Sequence, residues 1–228
     1  MDQACGALGA KRGSLLQRFQ NTLGTVAAAS GSISYGNNWA WLNNLNQQNQ
    51  TKSYYCGPAA VSEASYSMNA PAASQGTVAT PMHTDQNGQT YAGDELNGTN
   101  QFVGRPVFGF NFYVWVSLPD PPSSQQRTDF WNRVITDVRY DWSALVGDAW
   151  EMPGGPHLEG HPDIEIRHYI QLGGYSSDQG PLLVYYSDSA NSMHTTFATR
   201  VWTQTVPAYQ WIDNTKLTTI LGGLGYIW

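Results

Sequence analysis

Cys56 stands directly before Gly57-Pro58-Ala59-Ala60, a run that opens a helix, because proline is favoured in the first helical turn, where its missing N–H costs nothing. A thiol attacks carbon only as its thiolate, and a free cysteine ionises near a pKa of about 8.5. The positive end of a helix lowers that value, and an imidazolium partner lowers it further, to about 3–4 where the two form a pair. Gly57 lets backbone approach closely beside the sulfur. A cysteine alone fits a buried structural role equally well, so the reading depends on what else reaches it.

A histidine and a carboxylate are available from one hairpin. Arg167–Gly173 and Leu182–Asp188 read as two strands joined by a turn around Ser176 to Gly180. With the turn centred on Asp178, His168 faces Asp188, Ile170 faces Tyr186 and Leu172 faces Val184, all on one side because strand side chains alternate with a period of two. Directly opposed residues have Cβ atoms roughly 4.5–5.5 Å apart. That places an imidazole beside a carboxylate, which fixes its tautomer and stabilises its charged form. Gln50, six positions before Cys56, supplies a side-chain amide. Together with the backbone N–H of the nucleophile it makes two donors for an oxyanion, each typically worth roughly 10²–10³ in rate. Gln47, Gln48 and Asn49 beside it fit plain loop polarity.

The elements that must hold these groups are legible in outline. Leu15, Phe19, Leu23 and Val26 lie on one face of a helix expected over 14–29, with Ser14 as its cap. Gly31 to Asn38 reads as a turn-rich connector and Asn43 to Lys52 as an Asn/Gln-rich loop. The Cys56 helix is expected to run to about Met68, since Pro71 forbids continuation. Short helices around a loop fill Thr77 to Asn97. Val107 to Val116 alternates and is rich in aromatic and β-branched residues, so it predicts a strand. A helix capped by Thr128 follows, with Phe130, Val134 and Val138 on one face. Gly154 to Pro162 is a loop, a strand is expected near Phe197–Trp202 and a short helix near Thr215–Leu221. Helices come early and strands late, which points to an α+β fold.

Gln50 with Cys56-Gly57-Pro58-Ala59-Ala60, then His168-Tyr169-Ile170-Gln171-Leu172-Gly173-Gly174-Tyr175, then Tyr185-Tyr186-Ser187-Asp188-Ser189-Ala190, resembles the bacterial C39-type cysteine peptidases. The segment from Gly76 to Asn97 resembles the stretch after their nucleophile helix. The match covers about residues 39–200. It implies a papain-like fold, a nucleophile helix packed on an antiparallel sheet, and a Gln50, Cys56, His168, Asp188 site hydrolysing peptide bonds. Two departures stand out. No transporter segment accompanies the domain, so the leader peptides cut by transporter-borne members do not carry over. Ser189 also replaces the proline common after the aspartate. The expected organisation is an N-terminal helical extension over 1–38 and a peptidase domain over 39–228. The alternative is a catalytically silent module of the same fold that binds peptide or glycan.

Composition narrows the partners. Only 12% of residues are charged and the net charge is −6, with Lys and Arg scattered, so the clustered cations that nucleic acid demands are missing. No segment approaches the roughly 18 apolar residues that span a bilayer, and no basic amphipathic helix suggests a membrane surface. The expected partner is a peptide or protein substrate, with neither nucleic acid nor membrane. A neutral surface of Asn, Gln, Ser, Thr and Tyr suits a secreted protein, although the N-terminus makes a poor signal peptide. No cofactor and no metal site is expected. His157 and His161 are spaced like metal ligands, but Pro156, Gly160 and Pro162 argue against a helix that would align them. His83, Asp85, Asn87, Gly88 and Asp94 match part of a calcium loop, yet His83 stands where its first aspartate belongs.

Overall fold

The computed structural model describes residues 32–84 and 90–228. The helix expected over 14–29 and the centre of the calcium-like loop lie outside them. Eight antiparallel strands form one sheet: β1 (Ile33–Tyr35), β2 (Trp39–Leu42), β3 (Trp115–Ser117), β4 (Leu145–Glu151), β5 (Ile166–Ser176), β6 (Leu183–Ser187), β7 (Tyr209–Asp213) and β8 (Gly225–Ile227). The order is β1-β2-β5-β4-β8-β3, with β6 between β5 and β7. The long β5 is the hub. Its first seven residues pair with β4 and its last three with β2, while β6 covers Gln171 to Ser176 on its other edge. The fold is α+β, consistent with a papain-like peptidase.

Helix α1 (Cys56–Ser67) is buried on nearly every side. Small residues permit this: Ala59, Ala60, Val61 and Ala64 let its backbone approach the sheet. Its buried polar side chains are all engaged. Ser62 donates to Ala73 O, Ser65 to Ser62 O and Ser67 to Glu63 O, as burial without a partner would be costly. The short α2 (Gln75–Ala79) and α3 (Ala92–Thr99) follow it. A second core on the other sheet face joins Ile170, Leu172, Val184 and Tyr186 to Phe130 and Val134 of α5 (Ser124–Ile135) and to Leu217 and Ile220 of α6 (Asn214–Ile220). No helix of the described residues is long and apolar enough to cross a membrane.

Several expectations are corrected. Residues 33–35, read as connector, form β1. The strand expected over Val107–Val116 is instead a four-residue helix, α4 (Arg105–Phe108), ended by Gly109 in the left-handed region at φ 82°, and then extended chain that reaches the sheet only at Trp115. The Asn100 side chain stands in for a neighbouring strand there. It accepts from Tyr113 N–H and donates to Tyr113 O, both at 2.9 Å. Helix α5 begins earlier than Thr128, because Ser123 and Gln126 form a capping box. The segment near Phe197–Trp202 carries 3₁₀ turns rather than a strand.

Hairpin register is the correction that matters most. Leu172 pairs with Tyr186 and Gln171 with Ser187, but nearer the turn Tyr175 pairs with Val184. A one-residue bulge at Gly173 separates the two registers. The directly opposed pairs inferred from a turn centred on Asp178 are therefore not formed, and His168 lies opposite Ala149 of β4. Extended past Ser187, the observed register sets Asp188 across from Ile170, one diagonal step from His168. The bulge decides the outcome. Had the register near the turn continued, Asp188 and His168 would have pointed to opposite faces, since a slip of one residue exchanges them.

Candidate active site

Cys56 is the first residue of α1, partly exposed, and a free thiol. No residue could replace Gly57 without a shift, because an added Cβ would run into the carboxylate of Glu95 and lie 2.7 Å from Thr90 Oγ1. The close approach that the glycine permits is thus from inside the protein.

The loop before α1 is a strap stitched down at almost every residue. Asn46 N–H donates to Ser67 Oγ, Gln48 N–H to Glu63 Oε1, Gln50 N–H to Ser189 O and Thr51 N–H to Gln75 Oε1. The Gln47 amide donates to Asp188 O at 2.9 Å. This explains the Asn/Gln richness as docking chemistry rather than solvent-facing polarity. Gln50 is 3% exposed. Its Oε1 accepts from Ser189 Oγ and its Nε2 donates to Lys52 O, both at 3.2 Å. It therefore sits against the residue that follows Asp188.

His168 is 5% exposed. Its Nε2 lies 2.8 Å from Asp188 Oδ1, and the Cys56 thiol is near enough to act on the ring's ionisation. Burial opposes a charge on this imidazole, but the Asp188 carboxylate outweighs it, with the thiol adding to the effect, and the pKa stands well above the usual histidine value. Asp188 is fully buried and held far below the usual carboxylate range. Its burial works the other way and is overcome by His168 and His161. Oδ1 also accepts from Ala190 N–H at 2.8 Å. Three of the four residues picked from sequence are thus joined in one chain of contacts, and Gln50 is one residue removed from it.

Two carboxylates and a histidine went unassigned by sequence reasoning. His161 Nε2 lies 3.1 Å from Asp188 Oδ2, and its Nδ1 lies 3.0 Å from Glu151 Oε2. His157 Nδ1 reaches the same Glu151 oxygen at 3.0 Å. The two loop histidines converge without any helix, because both fold over the end of β4. The available signal was His161 itself, singled out for its spacing from His157 and weighed as a metal ligand, in a loop that runs just before His168. The third group is Glu63, seven residues after Cys56, whose oxygens accept from Gln48 N–H and Ser187 Oγ. Burial pushes its pKa up to about 8.

As for metals, ligand atoms of His161, His168 and Asp188 lie within 4.8 Å of one another, near enough for one cation to bridge. Both histidines already share hydrogen bonds with the Asp188 oxygens that a cation would need. Of the calcium-like loop, His83 Nδ1 and Asp94 Oδ1 meet at 3.0 Å on the surface.

A thiol at a helix start, an imidazole held charged beside it and a buried carboxylate behind the imidazole can carry out nucleophilic acyl transfer. No curated protein matches the chain. The family model described as Peptidase_C39 like matches residues 42–216, a span that takes in the strap, α1, the hairpin and β7, and the chain belongs to that family.

Proposed function

We propose that the protein is a cysteine peptidase that hydrolyses peptide bonds, with Cys56 as nucleophile, His168 as acid and base, Asp188 as its orienting carboxylate and Gln50 as an oxyanion donor. One observation carries this reading. The His168 ring is bonded to the Asp188 carboxylate and is acted on by the Cys56 thiol, which opens a buried helix. Cys56 sulfur attacks the scissile carbonyl, whose oxygen takes up negative charge. The Cys56 backbone N–H and the second Gln50 amide hydrogen, the first being used on Lys52 O, donate to it. His168 then gives its proton to the departing amine, leaving a thioester. A water that surrenders a proton to His168 attacks the thioester and releases the acid, restoring thiolate and imidazolium.

Family membership and the absence of a basic patch favour a peptide or protein substrate, and the weakly charged surface fits work outside the cell. The test is mass-spectrometric profiling of the full chain against a diverse peptide library, with Cys56→Ala as control. Cleavage products made by the wild type and not by the variant are expected. Products made equally by both, or by neither while both bind peptide or glycan, would replace the enzyme with a silent binding module.

A further inference from the structure

His161 does more than fill the loop over β4. Both its ring nitrogens face carboxylate oxygens, Nδ1 toward Glu151 at 3.0 Å and Nε2 toward Asp188 at 3.1 Å. Ionised carboxylates only accept, so a ring bonded on both sides must donate on both sides and is an imidazolium. The side chains of His161, Glu151 and Asp188 are all 0% exposed, so no solvent competes for these bonds. Glu151 is fixed in turn, its other oxygen accepting from Leu158 N–H at 3.0 Å. On the far side, Asp188 Oδ1 receives His168 and Ala190 N–H, while Oδ2 has His161 as its side-chain donor. The indole of Trp202 closes over the His161 ring at 5.0 Å.

Resting on the cysteine peptidase reading, we propose that His161 is a positioning residue for the hydrolysis: it holds the second oxygen of Asp188, and through that carboxylate the plane of the His168 ring, with Glu151 as its own anchor. Charge alternates along the string, from Glu151 through His161 and Asp188 to His168, so each inner ion is flanked by opposite sign. Neighbouring titratable groups on the packed elements are His157, bonded to the same Glu151 oxygen, and Asp163 beyond it. Burial disfavours the His161 charge, but the hydrogen bonds and charges of Asp188 and Glu151 outweigh it and raise its pKa. The contribution is therefore complete at low pH and fades only as pH rises through that raised value.

The test needs no known substrate. The rate of Cys56 alkylation by iodoacetamide is followed from pH 4 to pH 9 by intact mass, with glutathione as reference, in wild type, His161→Phe and His161→Gln. Phenylalanine keeps the ring packing on Trp202 and removes the donors, and glutamine restores a donor to Asp188. At pH 6, His161→Phe is expected to react about ten-fold more slowly than wild type, the scale on which partners behind a functional histidine act, with its rise moved to higher pH. His161→Gln is expected to stay within about three-fold of wild type. A wild-type profile that follows glutathione would sink the peptidase reading itself. A wild type reactive at low pH, with His161→Phe indistinguishable from it, would sink only the role of His161. Equal losses in both variants, tracking a lowered unfolding temperature, would make His161 merely structural. If His161→Phe does not fold, proton NMR of the wild type decides: two slowly exchanging, strongly deshielded ring N–H protons are expected for His161 at pH 7, and only one would overturn the proposal.

Discussion

Near its turn, the β5–β6 hairpin is aromatic. Gly174 pairs with Trp41 of β2 on one side and Tyr185 of β6 on the other, and Tyr185 pairs with Trp211 of β7. Rings of Tyr185 and Trp211 meet at 4.8 Å and those of Tyr185 and Tyr209 stack at 5.9 Å, all part-exposed. A Cβ at Gly174 would come within 2.9 Å of Tyr185 Cβ and 3.0 Å of Trp41 Cβ, so the glycine sets the spacing of the row. At the other end of the hairpin, His168 and Asp188 are buried and bonded to each other at 2.8 Å. One end is built from area, which is graded and tolerant. The other is built from desolvated charge, where a single missing partner is expensive. The contrast predicts that substitutions at the charged end change chemistry steeply, and that those at the aromatic end change stability mildly.

The largest effect is expected from His168→Ala, which removes the proposed acid–base group and should lower turnover roughly 10³–10⁴-fold. Asp188→Asn leaves that group present but misoriented, so its loss in the same peptide assay should be smaller; the reverse order would break the assignment of roles. Next comes Gln50→Ala, expected to cost roughly 10²-fold in turnover with an unchanged circular dichroism spectrum. If Gln48→Ala is the damaging change instead, the strap and not the oxyanion explains the loss.

A third outcome is a pH dependence. Glu63 is protonated in the folded protein up to about pH 8 and carries an ordinary carboxyl value of 4.5 when unfolded. Between those limits the unfolded chain releases a proton that the native one keeps, so this group makes stability fall as pH rises from about 4.5 to 8. Glu63→Gln should remove that slope, gaining roughly 1–3 kcal/mol over wild type at pH 8 relative to pH 4 in urea titrations. A parallel pair of curves would contradict it. The mildest change should be Tyr209→Phe at the aromatic end. It loses the hydroxyl that donates to Leu45 O and accepts from Gln47 N–H, for about 1 kcal/mol of stability and little change in turnover. A large loss of activity there would show that the aromatic row belongs to the site.

The parts legible in sequence were those with local causes. Pro58 and Pro71 framed α1, and alternating hydrophobics marked the β5–β6 hairpin. The type and order of Gln50, Cys56, His168 and Asp188 pointed to the family that residues 42–216 match. What stayed hidden depended on distant partners. Strand β4 was invisible because Asp148 and Glu151 interrupt its apolar run. Those acids are tolerated there because Glu151 meets two histidines and a backbone N–H, and because burial pushes Asp148 up to about 7. The false strand over Val107–Val116 failed because Asn100, thirteen residues before Tyr113, supplies the hydrogen bonds a neighbouring strand would have given. The register failed because nothing local in Gly173-Gly174 distinguishes a bulge from a regular pair. Only the crowding of Gly174 between Trp41 and Tyr185 does so.

That bulge bears on how such a protein can change over generations. Deletion of the single codon for Gly173 would close the bulge, making Leu172 with Tyr186 and Gly174 with Tyr185 consecutive pairs of one regular ladder, and would leave His168 and Asp188 on the same side of the sheet. A descendant of this kind would carry Gln, Cys, His and Asp in order and in the same register. A search that demanded a fixed count of residues between the histidine and the aspartate would miss it, where the pairing across the hairpin would not.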